Sequence, residues 1–168
     1  MIILLRILHI VLGVYWVGTI FFFVTYLEPS LRAVGPDAGK VMMQIFVRRY
    51  LTILPLIAVL TVLAGLGLIW KVSNGFDPSW MGSHMGITLS AGGASAIIAL
   101  GIGIGVTRRA GVRMWAIMRQ MPQVTSDTER AALMAEAGVL RNRSAVSSRW
   151  IAVLLLIAVL CMAVARYV

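Results

Sequence analysis

A chain of 168 residues that is 60% hydrophobic and only 12% charged departs from the soluble pattern, in which about a quarter of residues are charged. The net charge of +9 invites a nucleic-acid reading. The arginines and lysines, however, are gathered in two loops rather than along one binding face, so nucleic acid is excluded as a partner. The single cysteine, Cys161, rules out an intrachain disulfide and reads as a small buried hydrophobe.

The first apolar run occupies about 2–27. It is longer than the apolar core of a signal peptide and no small-x-small cleavage site follows it, so it reads as a retained span. Its stretch "LRILHIVLGVYWVG" carries His9 about two turns inside the membrane. The helix is expected to stop before Glu28-Pro29, because the residue before a proline disfavours α geometry.

Gly35-Pro36-Asp37 marks a turn, and Asp37 is placed to cap a new helix with Val41, Ile45 and Phe46 near one stripe. That helix is expected to run through Arg48-Arg49 into the second span, about 51–71. Pro55 then loosens its start, which is tolerable if a neighbour satisfies the freed carbonyl.

Asn74-Gly75 and Asp77-Pro78 make the next segment a turn, flanked by Trp70 and Trp80 at interfacial depth. The third span, about 84–107, opens with His84 and is rich in small residues. Gly86/Ser90, Gly92/Ala96 and Gly101/Gly105 form small-xxx-small pairs that let another helix, or a flat ring, approach closely.

The segment 108–145 is too long for plain coil. "RRAGVRMWAIMRQM" suggests an amphipathic helix lying on the membrane surface. Ser126 and Glu129 have capping-box spacing and open a further helix with Leu133, Ala137 and Leu140 on one face. The fourth span covers about 147–167.

The fold class expected is therefore all-α: a four-transmembrane-helix bundle forming one domain over 1–168, with amphipathic helical segments in the cytoplasm. Continuously apolar runs exclude a β-barrel. Twelve of the fifteen basic residues fall in the loops after spans one and three. The positive-inside rule then puts those loops in the cytoplasm and both termini outside, as expected in a bacterial inner membrane.

His9 and His84 are the only histidines, and up-down topology brings both towards the outer face. Three readings follow. In one, His9 is an axial ligand of b-type haem, His84 is a possible second ligand, and Gly13 and Gly18 make room for the macrocycle. In another, Met81, His84 and Met85, with His9, form an outward copper site, since thioether and imidazole suit Cu(I). In the last, His9 hydrogen-bonds a neighbouring helix and His84 is an interfacial cap. A shared histidine site requires helices one and three to be neighbours. No carboxylate lies within a span, and no phosphate loop, HExxH or nucleophilic-serine motif is present.

"LHIVLGVYWVGTIFF", residues 8–22, with its Leu-His, following Gly, Trp-x-Gly and phenylalanines, resembles the first helix of a group of small bacterial membrane proteins. "LEPSLR" after it is similar to the same group. The group includes the copper-resistance CopD-like membrane domain, uncharacterised membrane families of like length and the HemJ-type protoporphyrinogen oxidases. The HemJ resemblance implies a haem-ligand role for His9. Those oxidases also use an intramembrane lysine, whereas Lys40 and Lys71, the only lysines, sit in loops or at helix ends, so their activity is not carried over. The CopD resemblance implies copper handling. Taken together, the expected function is a haem-binding electron-transfer protein or redox-complex subunit. The alternatives are a cofactor-free accessory subunit or a copper-handling protein. The expected partners are lipid, other membrane subunits or further copies of the chain.

Overall fold

The structure, a computed structural model, describes residues 2–35 and 38–168. Its helices are α1 (Ile2–Phe22), α2 (Glu28–Val34), α3 (Ala38–Val47), α4 (Tyr50–Val72), α5 (Pro78–Met81), α6 (His84–Ile102), α7 (Arg109–Gln120) and α8 (Asp127–Val164). The described residues contain no strand. Four continuous helical stretches, Ile2–Val34, Tyr50–Val72, His84–Gln123 and Asp127–Val164, are long and apolar enough to cross a membrane.

α1 packs chiefly on α4, and α6 chiefly on α8. Smaller interfaces join α4 to α6 and α1 to α8, so α1 and α6 lie across the bundle from one another. Trp16, Ile20, Ala58, Ala99, Ile151 and Leu155 form its core. Large apolar side chains such as Ile3, Val14, Leu63, Ile98 and Leu160 face outward. Such an apolar exterior is compatible with a lipid environment, where no hydrophobic penalty attaches to it.

Glycines set the closest approaches. Along α1 and α4, Leu5, His9 and Gly13 meet Gly67, Gly65 and Thr61 in antiparallel register. Between α6 and α8, Gly92 is so close that an added Cβ would lie 2.9 Å from Cys161 Cβ and 3.2 Å from the Ala158 carbonyl oxygen. The close-packing role of small residues in the third span is thus realised at Gly92, while Gly101 and Gly105 face open space.

Several boundaries differ from expectation. The first helix does not stop before Pro29. A π-helical turn, Phe23–Leu27, widens the backbone just ahead of it, and the Glu28 amide donates to the Phe23 carbonyl. This wider turn makes room for a ring that would clash with the carbonyl four residues back. The helix therefore continues as α2. The turn expected at Gly35-Pro36-Asp37, with Asp37 as cap, involves residues 36 and 37, outside the described residues.

α3 and α4 are not one helix. Arg49 adopts φ 61°, and its amide donates to the Phe46 carbonyl at 3.0 Å, closing a turn between them. The inward positions of α3 are Ala38, Met42 and Phe46, while Val41 is exposed. An i, i+4, i+8 stripe explains this better than the expected one.

α7 is continuous with α6 through a second π-helical turn, Gly103–Arg108. It packs against α8 and α3. Ser126 caps α8 as its spacing predicts, its hydroxyl accepting from the Glu129 amide at 3.5 Å. α8 then runs without a break into the fourth apolar stretch. The arginine-rich connections gather at one end of the bundle, called here the basic end.

Candidate functional site

His9 sits on the α1 stripe that also carries Gly13, Trp16 and Ile20, spaced by three or four residues and therefore on one face. Its Nδ1 lies 2.9 Å from the backbone carbonyl oxygen of Thr61 on α4. A carbonyl only accepts, so Nδ1 carries the proton, and in the neutral ring Nε2 is then the nitrogen with the lone pair. The ring lies over Gly65, where an added Cβ would be 2.8 Å from Cε1 and 3.1 Å from Nδ1. Only glycine admits the imidazole at this place. The interhelical hydrogen bond of the simplest reading of His9 is present.

His84 is the first residue of α6 and is exposed. The cap there is Ser83 rather than His84: its hydroxyl accepts from the Gly86 amide at 3.1 Å and donates to the Trp80 carbonyl at 2.6 Å. Met81 closes α5 and Met85 follows His84, so the three share one tight corner, with both methionines half-buried. Gly86 holds that corner closed, because a Cβ would run into the backbone of Trp80 and Met81. Among the described residues no group of three or more His, Cys, Asp or Glu side chains is arranged to hold a metal ion. Gly13 faces Thr61, whose Cγ2 would lie 3.6 Å from an added Cβ, while Gly18 faces open space.

A b-type haem is tested by this geometry in two parts. The donor chemistry at His9 fits one ligand from the chain: Nδ1 is anchored on a carbonyl, as in metal-bound histidines generally, and Nε2 would be the atom to hold iron. His84 sits on α6, across the bundle from α1, so the neighbouring first and third helices on which the shared histidine site was premised are not found.

Two features at the basic end are not anticipated by motif reading. Glu28 is 6% exposed. It pairs with Arg32 one helical turn on and with Arg149 Nη2 of α8 at 3.6 Å, tying the end of the first helix to the fourth. The i, i+4 spacing of Glu28 and Arg32 is the signal that was available. The second is a cavity of about 70 Å³ between α1, α3, α4, α6, α7 and α8. Its deeper wall is apolar, with Trp16, Ile20, Ala58 and Ala99. Its outer wall has Tyr50, Thr107, Arg108, Ser144 and Ser148. Thr107 is hydrogen-bonded to Ser147 of α8 at 2.9 Å. Arg108 Nε donates to the Leu51 carbonyl oxygen at 3.1 Å. That carbonyl is the one Pro55, lacking an N–H, leaves without a helical donor, so the neighbour needed to satisfy it is Arg108.

No family model matches the chain, and no curated protein or solved structure is significantly similar to it. The four long apolar helices define the class as a multi-pass helical membrane protein.

Proposed function

We propose that the protein binds b-type haem through Nε2 of His9 and acts in electron transfer, or as a subunit of a redox complex, in a bacterial inner membrane. The observation that carries this reading is the Nδ1 hydrogen bond to Thr61 O. It selects the tautomer whose free nitrogen suits iron and fixes the plane of the ring. The resemblance of residues 8–22 to a group that includes the HemJ-type oxidases, which implies a haem-ligand role for His9, supports it. When bound, haem supplies reversible one-electron chemistry. The chain supplies the ligand, the carbonyl that orients it and the Gly65 seat that lets it approach α4. In this reading the basic end lies in the cytoplasm and the termini outside, following the positive-inside rule. His84 is not required as a ligand.

The test is the absorption spectrum of the purified protein. Reduced b-type bands, lost in His9→Ala and kept in His84→Ala, are expected. A colourless, metal-free preparation overturns the reading, and copper retained through Met81, His84 and Met85 replaces it with the copper-handling alternative.

One observation favours a second reading, a cofactor-free accessory subunit: His9 already serves as a clamp between α1 and α4. A protein that purifies colourless with larger membrane subunits, or as a homo-oligomer through its exposed apolar faces, fits that case.

A further inference from the structure

The cavity at the basic end combines features that packing alone does not require. Three of its walls depart from regular helix at the cavity itself. Phe23 begins one π-helical turn, Gly103 begins another, and Pro55 interrupts the ladder of α4. π-helical turns are rare and concentrate at functional sites, and here two of them border one space.

The cavity is also chemically graded. Trp16, Leu54, Leu100 and Ile151 form an apolar wall, and Tyr50, Thr107, Arg108 and Ser148 a polar one rich in hydrogen-bond donors. Among the described residues no carboxylate lines it. Arg108 is pinned through Nε to Leu51 O, while neither of its Nη groups has a partner among the described residues. An arginine anchored by one nitrogen with its fork left open is preorganised for a carboxylate or phosphate. At about 70 Å³ the space has room for roughly five water-sized sites, by the usual 10–15 Å³ per site.

We propose that this cavity binds an anionic amphiphile, its carboxylate or phosphate head on the Nη groups of Arg108 and its hydrocarbon chain alongside Trp16. The site is independent of haem at His9, which lies seven residues and about 10 Å up α1 from Trp16.

Trp16 provides the readout. A dibrominated stearate is titrated into the purified full chain in non-ionic detergent, and quenching of tryptophan fluorescence is followed. The expected result is a saturable component that disappears in Trp16→Phe. The same brominated chain ending in a neutral alcohol, and the stearate with Arg108→Gln, should each bind roughly tenfold more weakly, the loss of one charge-assisted contact. Gly103→Leu, which projects a side chain towards Ile151, should abolish the component in protein that still shows the helical circular dichroism of the parent. A lysophosphatidate should displace the stearate, and inorganic phosphate alone should not. Quenching that never saturates and is equal in Trp16→Phe overturns the proposal, as does equal binding of acid and alcohol. Displacement by inorganic phosphate as effective as by lysophosphatidate assigns the Arg108 site to a free anion and overturns it equally.

Discussion

Arg108 donates its Nε hydrogen to the carbonyl oxygen of Leu51 across 3.1 Å, and Leu51 lies four residues before Pro55. A helical proline leaves one carbonyl without its donor, and a side chain from another helix supplies the replacement. The pair links α4 to the turn where α6 passes into α7, at the lip of the cavity.

That arrangement predicts coupling. Arg108→Gln should lower stability by about 1 kcal/mol, the usual net worth of such a hydrogen bond. Pro55→Ala restores an N–H for Leu51 O, so in that background the Arg108→Gln cost should shrink by at least half. Reversible unfolding in mixed micelles measures the cycle, and strict additivity would show that the carbonyl does not depend on Arg108.

Glycines of the third apolar helix should respond unequally. Gly92→Val forces a side chain into Cys161 and the Ala158 backbone and should cost about 1–3 kcal/mol by overpacking. Gly101 faces open space, so Gly101→Ala should be neutral or slightly stabilising, within about 1 kcal/mol. Equal effects at the two positions would be incompatible with the α6–α8 crossing.

The seat of His9 can be tested without any cofactor. Gly65→Ala places a Cβ 2.8 Å from Cε1, so the imidazole must leave Thr61 O, at a cost of about 1 kcal/mol. Once His9→Ala has removed the ring, the added methyl has nothing to meet, and the double variant should be no less stable than His9→Ala. A double variant clearly worse than that single variant would mean the ring does not lie over Gly65.

Beyond the apolar spans of about 84–107 and 147–167, at the basic end, Arg113 joins α7 to Glu136 of α8 through two hydrogen bonds, at 2.6 and 2.9 Å. The hydrogen bond from the Arg113 guanidinium holds the Glu136 carboxyl below its ordinary value, and the same bond raises Arg113. A carboxyl lowered in the folded state stabilises it above the unfolded pKa, and that contribution is lost as pH falls through the lowered folded value. Unfolding measured from pH 7 downward should show a small acid-side decline that Glu136→Gln flattens. Because the pair is exposed, salt should weaken it. A decline unchanged in Glu136→Gln would assign the acid sensitivity elsewhere.

The four long helices were legible because unbroken apolar runs of about 20 residues admit few other folds. The Ser126 cap was legible because its chemistry is local. Where the reading failed, a local rule met a compensation from the surroundings. Pro29 did not end a helix because a π-helical turn widened ahead of it. Arg48-Arg49 did not continue one because Arg49 turned left-handed. The face of His9 could have been read from its spacing to Gly13, Trp16 and Ile20, but the carbonyl of Thr61 could not, since backbone acceptors leave no trace in residue identity. The cavity was hidden for a further reason. It depends on which helices are neighbours, and on two wider turns that no residue type announces.

The bundle is strongest between consecutive partners, α1 with α4 and α6 with α8, and weaker between the pairs. Each half can therefore close on contacts near in sequence, with little entropy lost to long loops. Biosynthesis can deliver the protein as two hairpins that meet afterwards. The exposed turn at Asn74-Gly75 is the natural seam, and two polypeptides divided there should find one another in the bilayer and rebuild the whole.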